Sequence, residues 1–264
     1  MFKREFKINL KSLILWTGIL LAIYILIFAI YPSLITEETK IVLEQMLNSM
    51  PQEMLESFNM DIVGIESAYG WFKTEGYIFL TIIGGLYAAI LGSTILLKEE
   101  SDKTIEFLYS KPVSRVKIIT SKILCGIVNI LIFTFAVTIV NGIALSGIED
   151  FRIKEYLMIS IIPILLYYML FFIMLFVSTF FKKTKKAMTI GIGLVFISYF
   201  MQIIGNMGEK IEIIKNISLF EFVSSRYIIL NNSLDIKYLL LGIAIIIVTT
   251  IGTYHRYNHK EFLG

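Results

Sequence analysis

Apolar runs long enough to cross a bilayer recur six times along this chain, at about 13–31, 77–97, 123–145, 156–181, 187–204 and 236–254, each bounded by charged or turn-forming residues. At 1.5 Å per residue the first covers about 28 Å, close to the thickness of bilayer hydrocarbon. The pattern therefore predicts an all-α polytopic membrane protein with six transmembrane helices in one domain, residues 1–264. Ahead of the first run, Phe2, Phe6 and Leu10 recur every four residues among Lys3, Arg4, Lys7 and Lys11. Residues 1–11 read either as an amphipathic helix lying in the headgroup layer or as the positive flank that orients span one. The first run is too long for the core of a typical cleaved leader and no Ala-x-Ala site closes it, so it is read as a retained span.

The segments between the runs differ in kind. Pro32 is expected to end span one, and residues 32–76 form an extracytoplasmic loop with eight carboxylates against Lys40 and Lys73. Within it Ile41, Val42, Leu43, Met46, Leu47 and Met50 make a helical stripe that Pro51 closes. Gly85, Ala89 and Gly92 put small residues on one face of span two, which suits close helix packing in lipid. Pro163 is expected to bend span four near its start. Residues 205–235 hold apolar patches too short to cross, and are expected to form an outer re-entrant or interfacial segment.

Composition agrees with this picture: 56% of residues are hydrophobic, mean hydropathy is +0.77 and only 17% are charged, whereas a soluble domain carries about 25% charge. Cys125 is the sole cysteine and cannot form an internal disulfide; it reads as a small buried hydrophobe. Charge also sets orientation. With six spans, 16 of the 24 Lys and Arg fall on the side that holds both termini, 98–122 and 182–186. By the positive-inside rule both termini then face the cytoplasm of a multi-pass cell-membrane protein.

Much familiar chemistry is missing. No run holds Asp, Glu, Lys, Arg or His in its interior, which argues against a proton-coupled carrier. His255 and His259 lie in the tail without the pattern of a zinc site, and no Gly-x-x-x-x-Gly-Lys-Ser/Thr cradle is present. The chain is therefore not expected to be an enzyme or to hold a cofactor or metal. Energy for work against a gradient would enter from elsewhere.

The obvious port is the charged segment 98–122. Asp102 can cap a helix that presents Ile105, Leu108 and Tyr109 on one face. Pro112 ends it, and Ser114 can cap the next helix, which carries Arg115 and Lys117 into span three. From these residues alone, a stiff helix that transmits a push and an ordinary polar loop resting on headgroups stand equal.

The stretch Glu99-Glu-Ser-Asp-Lys-Thr-Ile-Glu-Phe-Leu-Tyr-Ser-Lys-Pro-Val-Ser-Arg-Val-Lys-Ile-Ile-Thr-Ser-Lys-Ile123 resembles the signature of the ABC-2 type transporter permeases. The matching positions are Glu99, Glu100, Thr104, Glu106, Leu108, Ser110, Pro112, Val113, Ser114, Arg115 and Lys122. Tyr109-Ser110-Lys111 departs from the more apolar or Arg-containing tripeptide of many relatives. The resemblance extends to the whole topology, and it implies a coupling helix at 101–111 that sits in a cleft of a separate cytoplasmic ABC ATPase. Glu99, Glu100, Thr104, Glu106, Phe107, Leu108, Tyr109, Pro112 and Arg115 would form that coupling site. Arg115 would pair with the ATPase or anchor the turn. The implied partners are that ATPase, a second like or unlike permease chain and membrane lipid, with no nucleic acid. The implied function is the permease of an exporter for an amphipathic cargo such as a peptide, antibiotic or lipid. A non-transporting membrane anchor or sensor subunit remains the alternative reading, and an autonomous secondary carrier a third.

Overall fold

The computed structural model describes residues 1–34, 36–51, 54–55, 67–106, 113–148, 150–207, 211–231 and 233–260. Among these, six helices are long and apolar enough to cross a membrane: Phe2–Tyr31, Ala68–Ile95, Arg115–Leu145, Ile153–Ser178, Thr184–Asn206 and Ile236–Asn258, spans one to six in chain order. The all-α six-span architecture stands as expected, but several ends move.

Span one belongs to a single helix, Phe2–Leu34, that runs without a break from the basic start. It also continues two residues past Pro32, because a proline near a helix end forfeits one hydrogen bond without forcing the backbone out of helical geometry. Its buried stripe is Glu5, Leu13, Leu20 and Tyr24. Phe2 is exposed and Phe6 and Leu10 pack at the rim of the core, so the basic start leans on the bundle through a different face from the one its apolar spacing suggests.

Span two begins nine residues before the apolar run does, at Ala68, where the Ser67 hydroxyl accepts from the Gly70 amide at 3.0 Å. Residues Phe72–Gly76 form a π-helical turn inside it. The Tyr24 hydroxyl donates to the Gly76 carbonyl at 2.7 Å, tying span one to the end of that turn. Lys73 on this turn pairs with Glu155 of span four at 3.3 Å, and the pair lets two charged residues join a helix whose sequence reads as loop.

Spans two, three, four and five share the core. Gly92 is where spans two and four cross most closely: a Cβ there would overlap the Phe171 carbonyl oxygen, so only glycine permits this separation. The small face of span two is thus used for packing. Tyrosines fill the remaining volume and bond across it, Tyr167 to the Leu80 carbonyl at 2.8 Å and Tyr156 to the Thr138 carbonyl at 2.5 Å. Span four is interrupted at Ile162–Pro163, between helices Ile153–Ile161 and Ile164–Ser178, as its proline requires. Large apolar side chains such as Ile14, Leu15, Ile139, Ile197, Leu240 and Val248 line the outside, an exposure suited to bilayer hydrocarbon.

The helix Glu37–Ser49 is capped by Thr36 and Thr39 reciprocally and stops before Pro51. Its Ile41, Val42 and Met46 are exposed rather than packed on the bundle.

After span five the chain doubles back. The short helix Glu212–Ile217 packs on span five at Gly205, and the chain descends to Ser198. There the Ser198 hydroxyl accepts from the Leu219 amide at 2.7 Å and the Ser218 hydroxyl donates to the Ser198 carbonyl at 2.6 Å. Ser198 lies eight residues before Asn206, so the segment reaches about 12 Å down the bundle. Leu219, Phe220, Phe222 and Val223 are buried there, and the Tyr77 hydroxyl donates to Val223 at 2.5 Å. Ser198→Ala should cost about 1–3 kcal/mol, since it leaves the buried Leu219 amide without an acceptor. Thermal unfolding in detergent checks this, and an unchanged midpoint contradicts it.

Candidate coupling site

The turn that leaves span two is built to present carboxylates inward. A short helix, Lys98–Ser101, ends at Asp102 and closes with the Lys103 amide on the Glu100 carbonyl at 3.2 Å and the Thr104 amide on the Glu99 carbonyl at 2.8 Å. Lys103 takes the left-handed conformation this closure needs, with φ 56°. Asp102 therefore ends one helical turn rather than capping the next, and helical geometry resumes at Ile105–Glu106. Ile105 is buried against Ile118, with Val113 beside them.

With the turn fixed this way, Glu99 is 5% exposed and faces Lys122, which is fully buried in the third turn of the span-three helix. The Lys122 ammonium stands 2.9 Å from each Glu99 oxygen, 3.0 Å from Glu5 Oε2 and 2.6 Å from the Ile95 carbonyl. It sits at the C-terminal end of span two while Glu5 lies in the first turn of span one, so both helix dipoles favour the charges they meet. The centre of each span lacks ionisable groups as expected, but this lysine is a buried charge on a spanning helix.

A second pair holds the other carboxylate. Glu100 Oε2 accepts from the Lys260 ammonium at 2.6 Å, and the same ammonium donates to the Phe181 carbonyl at the end of span four at 2.7 Å. Arg115, just past the Ser114 cap that accepts from the Lys117 amide, donates to the Asn258 and Lys260 carbonyls at 2.8 and 2.9 Å. It thereby caps the C-terminal end of span six. Ser101 bonds Thr184 at the start of span five at 3.2 Å. The segment after span two is in this way fastened to all the other spans, and the start of span one and the end of span six lie on its side of the bundle.

Of the residues expected in the coupling site, Glu99, Glu100 and Arg115 bond within the bundle, while Thr104 and Glu106 are exposed. Phe107, Leu108, Tyr109 and Pro112 lie outside the described residues. Glu5 and Lys260 were not expected there. The available signal was Glu5 as a lone carboxylate among Lys3, Arg4, Lys7 and Lys11. Among the described residues no group of three His, Cys, Asp or Glu side chains could hold a metal ion, and the His259 ring turns back to the His255 carbonyl at 2.8 Å.

A family model described as ABC-2 family transporter protein matches residues 1–262. The chain belongs to that family. It is accordingly a multi-pass membrane permease of an ABC-type transport system, a non-catalytic component. No curated protein and no solved structure matches it. Within the family assignment, the carboxylates and basic residues of the segment after span two acquire a shared physical role: they seat that segment on the bundle and leave Thr104 and Glu106 facing outward.

Proposed function

We propose that this chain is half of an ATP-driven exporter, that residues 101–111 receive the motion of a separate cytoplasmic ATPase, and that both termini are cytoplasmic. The observation carrying this reading is the clasp formed by Lys122 with Glu5 and Glu99, by Lys260 with Glu100 and by Arg115 on the end of span six. A loop that merely joined two spans would need no buried ion pairs to the other helices, whereas a segment that delivers force must be rigidly fastened to what it moves. Sixteen of 24 cations on the clasp side support the orientation. Two chains, alike or different, pair around a path along spans one, two and five. Closure of the ATPase pair pushes on both segments and rocks the halves, opening the path to the outside. The segment 205–235 is re-entrant from the outer side and closes that mouth at rest. The largely apolar spans suit an amphipathic cargo such as a peptide, antibiotic or lipid.

The test is capture of a candidate cytoplasmic ABC ATPase, sought first in the adjoining reading frame, by the full chain in detergent, followed by its ATP hydrolysis with candidate cargo. Wild type should retain the ATPase, and the combined change Phe107→Ala, Leu108→Ala and Tyr109→Ala should lower capture about tenfold or more, the loss of about 1.4 kcal/mol or more expected when buried aromatic anchors are truncated. Equal capture by both chains overturns the assignment of the segment. Cargo that never alters hydrolysis favours a non-transporting anchor.

A further inference from the structure

Glu5 is the part of the clasp that no reading of the segment after span two requires. It lies 117 residues from Lys122 in the chain, yet it is 2% exposed and shares that ammonium with Glu99. Four oxygens from three elements surround one ammonium: Glu5 from span one, Ile95 from span two, and both oxygens of Glu99 from the turn. An ammonium carries three protons, so these acceptors compete. The consequence is visible at Glu5 Oε1, which is buried without a hydrogen-bond partner. Two carboxylates on separate elements thus draw on a single cation that cannot satisfy both.

We infer that Lys122 and Glu5 are positioning residues that join the start of span one to the turn at 98–101, so that displacement of the turn changes the hold on span one. When Glu99 takes more of the ammonium, Glu5 loses its hold on Lys122 and the first turns of span one are released; when Glu99 withdraws, Glu5 is gripped. Only 17% of the most apolar window of span one is buried, so near its start this bond acts beside the packing of Phe6, Leu10 and Leu13. What moves the turn rests on the function proposed above, but the joint itself does not.

Hydrogen–deuterium exchange of the full chain in lipid nanodiscs, without any ATPase, tests the joint. Glu5→Gln keeps the side-chain shape and removes its charge; by leaving the ammonium to Glu99 it should slow exchange at the amides of 98–104 about fivefold or more, the lower end of ordinary coupling between sites. Glu99→Gln should slow exchange at the amides of residues 6–10 by a similar factor, because coupling is reciprocal. Each variant reads the joint from its own side, so misfolding of one leaves the other decisive. Glu5→Asp, which keeps the charge and so the competition, should bring exchange at 98–104 back towards the wild-type rate, a rescue that a packing role would not give. Exchange that changes only in the substituted element, or no rescue by aspartate, overturns the inference. Failure to capture an ATPase would instead count against the proposed function and leave the exchange result standing.

Discussion

Lys122→Met should destabilise the protein by about 3–5 kcal/mol, the usual cost of removing one partner from a buried ion pair. Methionine matches the length and apolar stem of lysine, so the packing volume changes little. What is lost is the cation that pairs with Glu5 and with both Glu99 oxygens. Two buried carboxylates would then face each other without compensation, and the Ile95 carbonyl would lose its donor. Thermal unfolding in detergent, followed by the fraction eluting as a single species, measures the effect. Combining Lys122→Met with Glu5→Gln and Glu99→Gln should recover a large part of the loss, since no charge is then buried unpaired. A Lys122→Met protein as stable as wild type would remove the electrostatic account of the clasp.

Gly92→Leu should be nearly as damaging, costing about 3 kcal/mol, the upper range for overfilling a packed interior. The obstacle at Gly92 is the backbone of span four at Phe171, which cannot rotate away as a side chain would. Spans two and four would have to separate, and with them the core they share with spans three and five. Gly18→Leu is the control, because nothing lies within 4 Å of a Cβ there and the added side chain meets lipid. Loss of folded protein for Gly92→Leu with normal yield for Gly18→Leu is the expected result; equal behaviour of the two would mean that the crossing is not close.

The six spans were legible because hydrocarbon selects for length and apolarity, and both are local properties of the sequence. The bend at Pro163 and the Ser114 cap were legible for the same reason, since each acts through its own backbone. The start of span two was not. Lys73 and Glu75 make its first turns read as loop, and the pairing of Lys73 with Glu155, far along the chain, is what lets Lys73 sit on a helix there. The clasp was half legible. The resemblance pointed to Glu99, Glu100 and Arg115, but a lysine at the start of a span ordinarily reads as a solvated flank, and nothing local predicts that Lys122 is buried. Its partners come from the first turn of the chain and from the turn before it, and Lys260 arrives from the far end. Sequence spacing carries no information about such meetings.

The two helices that lean least on the rest of the molecule are the first and the last, with 17% and 11% of their most apolar windows covered by protein. Oily tails exert no squeeze that would press one greasy rod against another. These two rods are instead moored near their tips: the first by Glu5 and by the Tyr24 hydroxyl, the last by Arg115, by Lys260 just beyond it and by Tyr238 on Asn216. Between those moorings only a narrow stripe of each, such as Leu13 and Leu20 on the first and Gly242 on the last, meets protein, and the broader outer flank is left to the lipid.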